Sequence, residues 1–289
     1  MRSNGMLTLR TRASQPLLWV GGLGVALAAM CTIIAATRGL IIPPEGDLTK
    51  AITFDLAVGT YLITLGCIVP LAQFSATGER RWVGVSIGLA LYAYAMETIQ
   101  HLRGIDPRFS RVGGLVDGLV GTGFVLVALG LIAMFSILAL KLVRRGTAGA
   151  DGLVLLGLRY AIGATMLAFA AGVWMSAIGG RYTGESGNIL PLHAFGFHAL
   201  QAIPLVGWLF SRSSAPQQEA RRWVHTAGVA WLAACVGIAW QTAFGRAVTE
   251  PSPPILAALV VLFCWLVCAV RAAQAWRASR LSAAPSPAT

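Results

Sequence analysis

Glu97, Gln100, His101, Arg103 and Arg108 fall within twelve residues of one another, and His193, His198 and Gln201 within nine. Imidazoles ligate transition metals or haem iron, guanidiniums grip carboxylates and phosphates at two points, and a carboxylate can serve as base to a metal-bound water. Four chemistries follow. A redox reading, the leading expectation, pairs His101 with His193 or His198 as haem or metal ligands. Arg103 and Arg108 then neutralise propionates, and Glu97 orients a ring nitrogen. A hydrolytic reading takes His101, His193 and His198 as metal ligands, with Glu97 or Asp117 as the base. A transport reading takes Glu97, His101, Asp117 and the two later histidines as a proton relay or solute gate. In a fourth reading, a sensory, assembly or structural subunit, the same polar network, Gln100 and Gln201 included, only fixes helix packing.

The elements that carry these residues are membrane helices. The chain has 289 residues, of which 56% are hydrophobic and 11% charged, and its mean hydropathy is +0.72. Soluble domains carry about 25% charged residues. About 20 apolar residues in a helix cross a hydrocarbon core of roughly 30 Å. Apolar runs of that order fall at 17–36, 51–73, 82–102, 113–140, 153–178, 190–210, 223–244 and 254–274. The expectation is therefore an all-α polytopic bundle of about eight spans. A cytoplasmic segment 1–16 precedes a transmembrane domain 17–275, and a disordered tail 276–289 follows. The first run is long for a cleaved signal and reads as a retained helix. No internal repeat is strong enough in the letters to claim.

Charge gives a direction. Arg2, Arg10, Arg12, Arg80, Arg81, Lys141, Arg144, Arg145, Arg212, Arg221, Arg222, Arg271, Arg277 and Arg280 lie on one side. Arg38, Lys50, Arg103, Arg108, Arg111, Arg181 and Arg246 lie on the other. This two-to-one bias puts both termini in the cytoplasm of a cell (inner) membrane. The net charge of +11 is thereby explained by topology, and nucleic acid is not expected as a partner. The bilayer is. The glycine-rich spans also permit a homo-oligomer or a membrane-complex partner. Five cysteines (Cys31, Cys67, Cys235, Cys264, Cys268) sit in apolar runs without metal-ligand spacing. The only lysines are Lys50 and Lys141, at span ends, and no nucleotide-binding loop is present.

Depth gathers the costly residues. Glu97, Gln100 and His101 fall in the outer half of span 3, Asp117 about one turn into span 4, and His193 and His198 in the outer half of span 6, with Gln201 deeper. Asp55 and Gln241 belong to the same level. Glu97 and His101 stand about 40° apart on a stripe with Ala90, Ala93 and Tyr94. Gly114, Gly118 and Gly121 surround Asp117 and are expected to admit a neighbouring backbone. Pro204 removes a helical hydrogen bond and is expected to kink span 6. Arg159 is expected to snorkel or to bond a backbone carbonyl. In the loop HLRGIDPRFSRVGG three arginines stand where the charge rule disfavours them. They either pair with Asp106 and lipid phosphates or hold an anionic group.

The stretch from Glu97 to Phe109 has the form ExxQxxRGxxxxF, and that from His193 to Pro204 the form HxxxxHxxQxxP. Both resemble signatures of a group of uncharacterised bacterial multispanning membrane proteins. The resemblance spans the third to the sixth run and implies no activity. Spans 4 and 6 are also similar to the intramembrane zinc hydrolases of the ceramidase and progestin-receptor type. The chain departs from that pattern in its five-residue His193 to His198 spacing and in lacking a final-span histidine pair.

Overall fold

A computed structural model describes residues 13–282. It is all-α, with eight helices: α1 (Gln15–Arg38), α2 (Leu48–Ile68), α3 (Ala76–Leu102), α4 (Leu115–Arg144), α5 (Gly152–Ala177), α6 (Leu190–Ser211), α7 (Gln217–Ala243) and α8 (Pro253–Ser282). Each is long and apolar enough to span a membrane, so the chain is a multi-pass membrane protein in contact with lipid. Two short hairpins interrupt the helices, β1 (Ile41–Ile42) with β2 (Gly46–Asp47) and β3 (Tyr182–Thr183) with β4 (Gly187–Asn188).

The local chemistry accounts for the helix ends. The Asp47 side chain caps α2 by accepting from Thr49 N–H at 2.9 Å, and Ser75 caps α3 by accepting from Gly78 N–H at 3.2 Å. Helices α1 and α6 carry proline in the first turn, where its missing N–H costs nothing. Beyond Ser211 and Arg38 the chain turns, but α8 continues to Ser282. The tail expected from residue 276 is thus helical as far as 282. Ser279 Oγ accepts from Ser214 N–H at 2.8 Å, and the Trp276 ring packs on Trp208 at 6.2 Å. The remaining residues of that tail, 283–289, and residues 1–12 of the N-terminal segment lie outside the described residues.

The chain divides into two compact units, Met1–Lys141 and Leu142–Thr289. In the first, α1 and α2 pack through glycine. A side chain on Gly59 would meet the Gly21 carbonyl at 2.7 Å, and one on Gly24 would meet the Asp55 carbonyl at 2.7 Å. In lipid, where apolar surface gains little by association, such close approach is what holds helices together. In the second, α5 and α6 pack the same way. A side chain on Gly157 would meet Ile203 O at 3.0 Å, and one on Gly196 the Ala164 carbonyl at 2.6 Å. Arg159 donates to the carbonyls of Val143 at 3.0 Å and Arg145 at 2.5 Å, as expected for a guanidinium near a span end. Helix α6 runs unbroken through Pro204 to Ser211.

From the hairpins through α3 and α7 the two units repeat each other at an offset of 141 residues, and α8 then follows α4 at an offset of 138, a relationship the letters alone do not support. Helices α3 and α7 are each 27 residues long and begin at Ala76 and Gln217. The hairpins share one register: Ile41 faces Asp47 as Tyr182 faces Asn188. Leu48 N–H donates to Leu40 O at 2.8 Å, and Ile189 N–H to Arg181 O at 2.9 Å. Glu45 N–H donates to Gly104 O at 2.8 Å, and Ser186 N–H to Gly245 O at 2.9 Å. Asn188 Oδ1 accepts from Leu190 N–H as Asp47 accepts from Thr49 N–H. Gly104 and Gly245 both adopt positive φ, +79° and +71°. In sequence the match reduces to a few letters, among them Arg80-Arg81-Trp82-Val83 with Arg221-Arg222-Trp223-Val224, and Gln100 with Gln241.

Candidate functional site

The hairpin end of the first unit concentrates ionisable side chains. Helix α2 contributes Asp55. Helix α3 contributes Tyr94, Glu97, Thr98, Gln100 and His101, all buried, with Ala90 and Ala93 sealing the stripe. The following loop contributes Arg103, Asp106 and Arg108, and α4 contributes Asp117.

Glu97 and His101 are both fully buried. His101 Nδ1 accepts from Asp47 N–H at 3.1 Å, which leaves the ring hydrogen on Nε2, 3.3 Å from Glu97 Oε1. The same Glu97 oxygen accepts from Arg108 Nη2 at 2.6 Å. The Arg108 guanidinium lies 5.6 Å from both the Phe54 and Phe124 ring centroids. Such placement favours a planar, weakly hydrated cation. Glu97 is desolvated and Arg108 half-buried, and their charges cancel.

Asp117 binds the ends of α3 and α4 together. Its Oδ1 accepts from Gln100 Nε2 at 2.9 Å and Arg103 Nη1 at 3.0 Å, while Oδ2 accepts from Gly114 N–H at 3.0 Å. Arg103 Nη1 also donates to Gln100 Oε1. Both oxygens are engaged in holding the helix end. Of the glycines around Asp117, Gly121 meets a neighbouring backbone, the Pro107 carbonyl at 3.3 Å, as expected, while Gly114 and Gly118 have open space where a side chain would stand. Further along the helix, Gly123 meets the Tyr92 hydroxyl and Gly130 meets Leu89.

The loop arginines do not pair with Asp106. That carboxylate accepts from Lys50 Nζ at 2.6 Å and from the Arg108 and Phe109 N–H groups at 2.9 and 3.0 Å. Burial alone would raise its pKa, but Lys50 and the two backbone donors together hold it below the usual carboxylate range. Glu45, outside the helices, is likewise held low, first by the Ser110 hydroxyl at 2.6 Å and then by Arg111 N–H at 2.8 Å.

Asp55 differs from all of these. It is fully buried in α2 and accepts one hydrogen bond, from Thr98 Oγ1 at 2.8 Å. Its Oδ1 has no hydrogen-bond partner, and among the described residues no cation pairs with it. The buried Tyr94 hydroxyl also lacks a partner, and both Tyr94 and the Asp55 backbone crowd Gly24. The sequence puts Asp55 at the level of Glu97 and His101, in keeping with its bond to Thr98, but gives it no role. The signal was there, since a carboxylate within a span is costly. What the letters could not show is which carboxylates find cations.

The second unit holds His193, His198 and Gln201. His193 is half-buried, with Nδ1 2.7 Å from Ala168 O and its ring against Phe197 at 4.9 Å. His198 is exposed and Gln201 half-buried. At the positions equivalent to Asp55, Glu97 and His101 stand Gly196, Ile238 and Thr242. The hairpin end is retained by neutral bonds beside one exposed ion pair, Arg246 Nε to Glu250 Oε1 at 2.8 Å. Thr183 Oγ1 donates to Thr242 O at 2.6 Å, and Gln241 Nε2 donates to Ala247 O at 2.8 Å and Glu250 O at 3.0 Å.

Among the described residues no group of three or more His, Cys, Asp or Glu side chains is placed to hold a metal ion. The residues fit a haem no better. His101 Nδ1 is taken by a backbone donor and its Nε2 faces Glu97, while Arg103 and Arg108, expected to meet propionates, are committed to Asp117 and Glu97. Comparison with family models, with curated proteins and with solved structures finds no match.

Proposed function

We propose that this chain is a proton-coupled membrane transporter built from two four-span units, in which Asp55 carries the proton. The observation that supports this reading is the isolation of Asp55, which is buried in a span with one hydroxyl donor and, among the described residues, no cation. An uncompensated carboxylate is costly in a bilayer, and binding a proton removes the charge. Glu97, His101, Arg108 and Asp117 then have a positioning role, since their charges and hydrogen bonds close the hairpin end around α2 and α3. The 141-residue repeat adds support, because internal repeats are a common architecture of secondary transporters. With the arginine bias read as positive-inside, the hairpin ends face outward and both termini lie in the cytoplasm of the cell membrane.

The test uses the full chain in liposomes loaded with a pH-sensitive dye and challenged with panels of amino acids, sugars and organic anions. Solute-evoked proton movement that is present in wild type and lost in Asp55→Asn supports the reading. Equal movement in the two proteins, or a solute flux without any proton movement, overturns it.

A further inference from the structure

At the end of the second unit opposite its hairpin, α6, α7 and α8 leave a groove of about 230 Å³ lined by Phe210, Ala215, Glu219, Trp223, Arg271 and Gln274, among others. Three arginine–tryptophan couples stand at this end of the helices, one of them, Arg271 with Trp223, in the groove lining itself. The Arg271 guanidinium lies 5.9 Å from the Trp223 ring centroid, Arg212 lies 5.6 Å from Trp208, and Arg280 lies 5.6 Å from Trp276. Arg212, Arg271 and Arg280 are all exposed. Glu219, the one acid in the groove lining, accepts from Trp223 Nε1 at 3.3 Å.

The charge at this end is one-sided. Arg144, Arg145, Arg159, Arg212, Arg221, Arg222, Arg271, Arg277 and Arg280 face only Asp151 and Glu219. Tryptophan settles at the headgroup level of a bilayer, and arginine stacked on an aromatic face keeps its in-plane donors free for phosphate oxygens. The repeat provides an internal comparison. Trp82, the equivalent of Trp223, turns its Nε1 inward to Met134 O at 2.8 Å, and with α4 and α8 aligned end to end Ala133 stands at the position equivalent to Arg271. The charged groove therefore belongs to the second unit's own sequence and is no requirement of the shared scaffold.

We propose that this groove binds the headgroup of an anionic phospholipid, with Arg271 on its phosphate and the Trp223 ring against the glycerol region. Anionic headgroups gather at membrane faces rich in arginine, and the charge excess is complementary to them. The site is independent of the transport reading.

Delipidated full-length protein in neutral detergent is titrated with phosphatidylglycerol, phosphatidylcholine or glycerol 3-phosphate, and bound molecules are counted by native mass spectrometry. Wild type is expected to retain phosphatidylglycerol over phosphatidylcholine. Arg271→Gln should weaken phosphatidylglycerol retention about fivefold, the effect of one arginine near an anionic surface. Arg271→Lys should keep part of it. Arg181→Gln, at the hairpin end, serves as the folding and charge control and should change nothing. Equal retention of the two lipids, unchanged retention in Arg271→Gln, or glycerol 3-phosphate binding as tightly as the lipid would each overturn the proposal. If Arg271→Gln does not fold, Gln274→Glu is measured instead. It places a repelling charge in the groove and should lower phosphatidylglycerol retention, and unchanged retention would count against the site.

Discussion

Thr98 donates to Asp55 at 2.8 Å between α3 and α2, and the second oxygen of that carboxyl meets no donor. A buried acid held by a single hydroxyl loses its whole satisfaction when that hydroxyl is removed. Thr98→Val should therefore destabilise the protein by about 1–3 kcal/mol, while Thr98→Ser, which keeps the donor, should recover most of the loss. Thermal unfolding in detergent followed by circular dichroism measures both, and equal losses in the two variants would show that the hydroxyl is idle.

Glu97 and Arg108 make the opposite case, a buried carboxylate whose charge a half-buried guanidinium cancels. Arg108→Gln leaves a fully buried carboxylate without its cation and should cost about 3–5 kcal/mol, whereas Glu97→Gln leaves a half-buried guanidinium that water reaches and should cost less. The double variant should cost less than the sum of the two. Additive losses in a double-mutant cycle would mean that the 2.6 Å contact is not a coupled ion pair.

The repeat makes a paired prediction. A side chain at Gly104 would strike the Pro43 carbonyl and one at Gly245 would meet the Gly184 Cα at 2.7 Å, both from positive φ. Gly104→Ala and Gly245→Ala should each destabilise by at least about 1–2 kcal/mol from backbone strain alone. Gly118→Ala, where space is open, should be close to neutral. A neutral result at either hairpin lock would separate the two units in design.

The spans were readable from the letters, because a run of apolar residues long enough to cross a bilayer has few other uses. The buried face was readable as well: counting along α3 placed Glu97 and His101 on one stripe, and both are buried. Partners were not. Lys50 finds Asp106 and Thr98 finds Asp55 across 56 and 43 residues, and nothing in local spacing links them. The repeat stayed hidden for a related reason. Its contacts are backbone hydrogen bonds between hairpin and loop, which most residue types can make, so Leu40 and Arg181 or Glu45 and Ser186 serve alike. His193 and His198 drew attention as scarce ionisable groups in a span, yet one leans on a backbone carbonyl and the other is exposed.

Acid should loosen the loop between α3 and α4. Asp106 and Glu45 are both held below their ordinary pKa values, so they stabilise the fold above the unfolded-chain range near pH 4 and lose that contribution as pH falls through the folded values. The melting temperature of wild type should therefore drop more steeply between about pH 5 and pH 2 than that of Asp106→Asn. Parallel curves would remove Asp106 from the account.

The most direct test of the proton-carrying role is infrared difference spectroscopy of the full chain in lipid as pH is changed. Wild type should show a protonated-carboxyl C=O band that gains and loses intensity with pH, that shifts in Thr98→Val and that vanishes in Asp55→Asn. A band that persists unchanged in Asp55→Asn, or no titrating carboxyl band in wild type, would contradict the claim that Asp55 carries the proton.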